Sequence, residues 1–260
     1  PVVLTGSADG TVTYGNDSVT VDASHTEEGY LMVSYSGSNS KVKLQITGSD
    51  EITYTYNLHD GYETFPLTSG SGSYTVGVFE NIEGTSYSTL FTQAIDVTIQ
   101  DEFGPYLYAN QYVNFSADSK VISKAMELSA SANDDLEVIE NVYNYIITNF
   151  TYDYDKAASV QSGYLPDVLA SQTGICFDYA AVMASMLRCE RIPTRLEVGY
   201  MGDVYHAWIS TYIKDKGWVN GIIEFDGNDW KLMDPTFAST SSDPKDFLTQ
   251  TDEYITKYVY

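Results

Sequence analysis

Cysteine, histidine and basic residues are scarce in this chain, and each shortage narrows what it can do. Its 260 residues hold 2 Cys, 3 His and 13 Lys or Arg, against 36 Asp or Glu, for a formal charge of −23. A field of that sign repels nucleic acid and anionic membranes, so neither is an expected partner, whereas a neutral or basic peptide suits it. Although 43% of the residues are hydrophobic, they are dispersed, and no run approaches the roughly 18 apolar residues of a membrane span. The chain opens on Pro1 rather than Met. It is expected to be a processed form, with any signal or anchor lost with the missing piece.

The two cysteines are the next constraint. Cys176 and Cys189 fall 13 positions apart on one expected helix, which separates them by roughly 20 Å. A disulfide tolerates no more than about 7 Å between Cα atoms, so both thiols are expected to be free. No close-spaced Cys or His pair marks a zinc site. No cofactor motif is present either, and neither metal nor cofactor is expected.

Residues 1–104 carry alternating runs typical of strands: Val19–Ala23, Leu31–Tyr35, Lys41–Thr47, Ile52–Leu58, Tyr74–Phe79 and Tyr87–Ile99. Turn signals such as Ser36-Gly37-Ser38-Asn39, His59-Asp60-Gly61 and Ser69-Gly70-Ser71-Gly72 separate them. Short strands so punctuated predict an all-β sandwich of immunoglobulin type, without the Cys and Trp of antibody domains. Tyr54, Tyr56, Tyr74 and Tyr87 suit half-buried strand positions. His25 and His59 lack a spacing motif and are expected at the surface. Gly104-Pro105 then breaks the pattern, so a domain 1–104 and a second domain 105–260 are predicted.

The second region changes to a helical period. Val121, Ile122, Ala125, Met126 and Leu128 share one expected face. A further helix opens near Asn133 or Asp134, with acids crowding its first turn, and runs through Leu136, Ile139, Val142, Tyr143 and Ile146. A third starts at Cys176 and stops before Ile192-Pro193. Strands are expected at Arg195–Met201, His206–Ile213 and Trp230–Met233, and helix in the tail from Asp243. The region thus reads as α+β.

The chemistry gathers in three places. Cys176 is followed after 30 residues by His206 and after 58 by Asp234. A thiol nucleophile needs a base, and the base needs an orienting partner. At a helix N-terminus a thiolate is favoured, and the free N–H groups there can receive an oxyanion. Gly174 is expected to let the backbone turn and to leave room for a substrate. Taken singly, Cys176 reads more readily as a small buried hydrophobe, His206 as a satisfied core residue and Asp234 as a turn or cap residue; it is their joint occurrence that points to chemistry. Cys189 reads as structural.

The flanking residues add a resemblance. Thr173-Gly174-Ile175-Cys176-Phe177-Asp178-Tyr179-Ala180, Met186-Leu187-Arg188, Ile192-Pro193-Thr194-Arg195 and Val198-Gly199-Tyr200 resemble the core of the transglutaminase-like superfamily. So do His206-Ala207-Trp208 and Trp230-Lys231-Leu232-Met233-Asp234-Pro235-Thr236. The likeness spans roughly residues 130–240. It implies a Cys nucleophile at Cys176, a general base and acid at His206, and an orienting carboxylate at Asp234. Phe150-Thr151-Tyr152-Asp153 is similar to the family motif that closes the preceding helix, which places Tyr152 in the cleft. Gln172, four residues before the thiol, is a candidate oxyanion donor, and Trp208 a candidate cleft residue. Asp178 and Tyr179 are expected to be structural. One departure stands out: where the family commonly has Gly before Ile-Pro, this chain has Arg191.

The resemblance implies acyl transfer from a protein or peptide amide through a Cys thioester, completed by water in a peptidase or amidase and by an amine in a cross-linking transglutaminase. The alternatives are a catalytically silent binding or scaffold protein and, less well supported, a zinc enzyme. A sandwich joined to such a domain, rich in Tyr and Thr, suggests a bacterial protein that is secreted or held at the cell surface.

Overall fold

The structure, a computed structural model, describes residues 1–159, 172–220, 222–225, 230–233 and 254–260. It is mostly β with some helices. The chain divides into two compact units, one of Thr5–Gln111 and one of Pro1–Leu4 with Tyr112–Tyr260.

The unit Thr5–Gln111 is built of two antiparallel four-stranded sheets. The strands are β1 (Thr13–Gly15), β2 (Val19–Asp22), β3 (Tyr30–Tyr35), β4 (Val42–Thr47), β5 (Thr53–Asn57), β6 (Glu63–Pro66), β7 (Gly72–Glu83) and β8 (Ser86–Val97). One sheet runs β1-β2-β3-β6 and the other β5-β4-β7-β8. Alternation explains them. In β4, Val42, Leu44 and Ile46 are buried while Lys43, Gln45 and Thr47 are half-exposed, the pattern of a strand with one face in a core. Val19, Val21, Leu31, Val33 and Phe65 of one sheet and Leu44, Ile46, Tyr56, Val76 and Val78 of the other are all buried. Phe65 meets Tyr56 edge-on, with centroids 4.8 Å apart. Each such side chain contributes roughly 1.5–3 kcal/mol.

Two of these strands were not expected. β1 is a three-residue edge, and β6 ends in Pro66, a residue tolerated in a sheet only at an edge or strand end. Tyr54, Tyr56 and Tyr74 are fully buried rather than half-buried. Tyr74 closes the Ser69–Gly72 turn, its hydroxyl donating to Gly70 O at 2.7 Å and accepting from Ser69 N at 3.0 Å. His59 lies exposed in a turn, 3.1 Å from Glu63. His25 is less exposed than expected of a surface residue, with Asp9 at 2.5 Å and Glu28 at 2.8 Å.

The other unit packs helices on a sheet. Its elements are α1 (Lys120–Ser129), α2 (Asp135–Asn149), β9 (Thr151–Tyr152), α3 (Tyr154–Ser159), β10 (Thr173–Gly174), α4 (Cys176–Cys189), β11 (Thr194–Met201), β12 (Val204–Ile213), β13 (Gly217–Asn220), β14 (Ile222–Phe225), β15 (Trp230–Met233) and β16 (Tyr254–Val259). The principal sheet is antiparallel, in the order β13-β12-β11-β16. α1, β11 and β12 all pack against α4. Asp134 caps α2, accepting from Glu137 N at 2.9 Å. In α1 the buried face holds Val121, Ile122 and Ala125, whereas Met126, expected on that face, is 49% exposed. The expected tail helix is corrected in part: residues 243–253 lie outside the described residues, but 254–259 form β16. Its Tyr-Ile-Thr-Lys-Tyr-Val sequence suits a strand, and the open edge of β11 gives it hydrogen-bond partners.

α4 ends in a Schellman turn. Ile192 N donates to Leu187 O at 3.0 Å and Arg191 N to Arg188 O at 2.9 Å, with Arg191 at φ +65°. This is the left-handed position that usually takes Gly, which explains the family preference and makes Arg191 a strained occupant.

Candidate active site

Cys176 owes its place to the junction between β10 and α4. Asp153 N donates to Gly174 O at 2.8 Å and Thr151 N to Gln172 O at 2.9 Å, so the parallel pair β9–β10 holds the chain just before the helix. Ile175 is extended at the N-cap, and Cys176 follows as the first helical residue, partly exposed. From Asp178 to Cys189 every residue of α4 is buried. The thiol therefore stands at the open end of a helix that is otherwise enclosed.

Asp178 locks that end. Its Oδ2 accepts from Ile175 N at 2.7 Å and lies 3.6 Å from Lys156 Nζ. Its Oδ1 is buried with no hydrogen-bond partner among the described residues. Burial pushes the Asp178 carboxyl up, offset in part by Ile175 N–H and Lys156. Gly174 serves this lock rather than a turn. It has no positive φ, and a Cβ there would stand 2.5 Å from Asp178 Cβ. The space expected for a substrate beside Gly174 is filled by Asp178. Lys156 was not singled out from the sequence, since a lone Lys on a short helix carries no signal.

Tyr152 is half-buried, with ring centroids 4.9 Å from Tyr154 and 6.2 Å from Tyr179. Burial, then the charge of Cys176, push its phenol up to about 12. Tyr152 thus lies within electrostatic reach of the thiol. Gln172 adopts φ +51°, and its amide donates to Tyr145 Oη at 3.0 Å, so one of its two side-chain donors is engaged away from an oxyanion role. Cys189 is fully buried, its Sγ donating to Met186 O at 3.0 Å, and burial pushes this thiol up to about 12. Both cysteines are free.

His206 lies on β12 opposite Gly199, and Trp208 opposite Glu197. Both are buried, with rings stacked 6.0 Å apart. Tyr254 of β16 packs edge-on to Trp208 at 4.9 Å and lies 6.3 Å from His206. Trp208 is therefore enclosed by aromatic neighbours, and its Nε1 has no hydrogen-bond partner among the described residues. Tyr205 and His206 are consecutive, so they emerge on opposite faces of β12. Tyr205 pairs with Tyr200. Burial, Tyr258, Tyr200 and Cys176, in that order, push its phenol up. Tyr152 and Tyr205 thus feel the Cys176 charge, and His206 packs beside Trp208 and Tyr254. Asp234 lies outside the described residues.

A buried carboxylate that the sequence did not reveal is Glu197. It accepts from the Ser210 hydroxyl and, at 3.1 Å, from Thr256 Oγ1. A Glu in an alternating strand reads as solvent-facing until the neighbouring strands β12 and β16 are known to supply its hydroxyl partners. Among the described residues no group of three or more His, Cys, Asp or Glu could hold a metal ion. No helix among them is long and apolar enough to cross a membrane.

Residues 122–221 match the family model of the transglutaminase-like superfamily. A UPF0252 protein from Methanocaldococcus jannaschii is 27% identical over 89 residues. That match takes in 31% of this chain and 24% of the relative, so the chain spans about a quarter of the curated relative's length. Similar solved structures include a candidate cysteine protease from Cytophaga hutchinsonii, with a TM-score of 0.44 and 16% identity over 96% of this chain and 74% of that one. The periplasmic domain of TgpA from Pseudomonas aeruginosa has a TM-score of 0.41 and 12% identity, over 91% of this chain and 99% of that one. Red sea bream transglutaminase has a TM-score of 0.35 and 14% identity, over 82% of this chain and 48% of that one.

Proposed function

We propose, from the premise that this chain carries a transglutaminase-like core domain, that it is a thiol-dependent acyl-transfer enzyme acting on protein or peptide amides. The observation that carries this reading is the position of Cys176, the first residue of α4 and partly exposed, on a helix packed against the strand that bears His206. In this reading the Cys176 thiolate attacks the amide carbonyl carbon. Backbone N–H groups at the helix end hold the oxyanion. The C–N bond breaks, and imidazolium His206 gives its proton to the departing amine. Water then attacks the thioester while His206, now neutral, takes its proton; the C–S bond breaks, and an acid, the free thiolate and imidazolium His206 remain. An amine in place of water gives a cross-link instead. We favour water, because transamidation also needs an amine site. Asp234 orients His206, as the matching family motif implies.

The same reading extends to the rest of the chain. Residues 1–104 are an immunoglobulin-like sandwich that spaces or presents substrate, residues 105–260 are the catalytic domain, and the protein works outside the cytoplasm.

A second reading, a catalytically silent binding fold, is favoured by one observation: His206 shares its face of β12 with Trp208, opposite the face of Tyr205, the residue that feels the Cys176 charge. Intact mass after incubation with iodoacetamide, and then with a glutamine peptide with and without a primary amine, separates the two. The catalytic reading expects labelling that Cys176→Ala abolishes, together with peptide turnover that His206→Ala reduces at least about a hundredfold. A wild-type thiol that stays unlabelled at neutral pH, or peptide that is bound but never converted, favours the silent fold.

A further inference from the structure

Aromatic side chains run from the thiol's helix to the edge of the principal sheet, and the chemistry proposed above gives them no role. Phe177, next to Cys176, meets Tyr112 edge-on at 5.5 Å, and Tyr112 meets Tyr260 at 4.7 Å. Tyr260 lies 6.5 Å from Tyr258 of β16. Tyr258 pairs with Val198, Ile255 with Tyr200, and Tyr200 in turn with Tyr205. Residues paired in this register point to one side of the sheet, so Tyr258, Ile255, Tyr200 and Tyr205 share a face. At its open end Tyr200 and Tyr205 stand edge to face with centroids 5.5 Å apart.

That end is unusually exposed for its composition. Tyr205 is 60% exposed, Ile255 55% and Tyr200 39%. Grouped apolar side chains left in water mark a place where something else binds. Ile255 and the two ring faces present apolar surface to water, and none of the three residues carries an ionised side chain at neutral pH. An aromatic or branched aliphatic side chain gains both apolar burial and ring packing. The influence of Cys176 on the Tyr205 phenol places the thiol within electrostatic reach of this wall.

We propose that Tyr200, Tyr205 and Ile255 form a specificity wall that receives an aromatic or branched aliphatic side chain of the acyl-donor peptide, next to the amide that Cys176 attacks. The inference rests on Cys176 being the nucleophile. The test treats the full chain with two peptidyl chloromethyl ketones, one with Phe and one with Gly beside the reactive group, and follows intact mass, with iodoacetamide as the reference reagent. The Phe probe is expected to label Cys176 about tenfold or more faster than the Gly probe. Tyr205→Ala and Ile255→Ser should each bring the two rates together, Tyr205→Phe should keep them apart, and iodoacetamide should react alike in all. Equal rates for the two probes in the wild type overturn the wall and leave the nucleophile standing. No reaction with iodoacetamide instead removes the nucleophile on which the wall depends. The wild-type ratio decides the matter even if an alanine variant fails to fold.

Discussion

Asp22 and Asp178 are both buried, one in each compact unit, and they titrate in opposite directions. Burial pushes the Asp22 carboxyl up, but hydrogen bonds outweigh it and hold the group below its ordinary 3.8. Ser24 N reaches Oδ1 at 2.9 Å and Gly10 N reaches Oδ2 at 2.7 Å, so both oxygens are satisfied. Asp178 has one backbone donor, a Lys at 3.6 Å and one bare oxygen, and burial prevails. The difference is one of purpose. In Thr5–Gln111 a buried charge serves a loop and is fully paired. In Tyr112–Tyr260 the buried charged groups Asp178, Arg188 and Glu197, along with His206, lie on the elements around the thiol. The bare Oδ1 of Asp178 reduces stability, and functional sites are where such conflicts are expected.

The sharpest way to break this contrast is Phe65→Ala. Phe65 is fully buried between the sheets, and its loss is expected to destabilise by about 3–5 kcal/mol, measured by urea unfolding. Cys189, fully buried on α4, should stay protected from iodoacetamide under conditions where the Thr5–Gln111 unit has melted. If Cys189 becomes labelled at the same urea concentration, the two units melt as one and the contrast collapses.

The aspartates test it next. A lowered carboxyl stabilises above its unfolded value, and that stability is lost as pH falls through the folded pKa; a raised one does the reverse, so stability declines as pH rises from the ordinary value through the folded one. Asp22→Asn should therefore cost about 1–3 kcal/mol at pH 7, since its amide group faces an N–H donor. Asp178→Asn keeps an acceptor for Ile175 N and should lose no stability above pH 4, with a flatter acid limb. Chemical denaturation of each variant across pH 3–7 checks both signs. Equal losses at neutral pH would mean that the bare oxygen of Asp178 has a partner. The smallest effect is expected at Arg191→Gly. Relief of the left-handed backbone should stabilise by about 0.5–1 kcal/mol, read as a rise in thermal midpoint without change in labelling.

Much of the architecture was legible because local pattern and tertiary environment agree. β4 alternates cleanly, Asp134 caps α2 where acids crowd its first turn, and α4 opens at Cys176 and closes before Pro193. The misreadings have physical causes. Glu63–Pro66 carries a Pro and no clear alternation, so only its partner β3 makes it a strand. Tyr254–Val259 lies behind a polar segment, and its state is settled by the free edge of β11. Met126 follows Ala125 on a short helix, and periodicity over so few turns does not decide which flank of the stripe meets the neighbour. Gly174 suggested a turn or a substrate gap, and its real constraint, the Asp178 side chain four residues on, is visible only once the helix is packed.

The sequence by itself determined the order of thiol, imidazole and carboxylate, the free state of both cysteines and the helix that begins at Cys176, because spacing, periodicity and helix rise are local. Only the tertiary structure decided that Asp178 and Lys156 lock that helix end, that Glu197 is buried and bonded by Ser210 and Thr256, and that His206 packs on Trp208 while Tyr205 emerges on the opposite face of β12. Those facts depend on which strand covers which face and on how much water is excluded, and a linear pattern records neither.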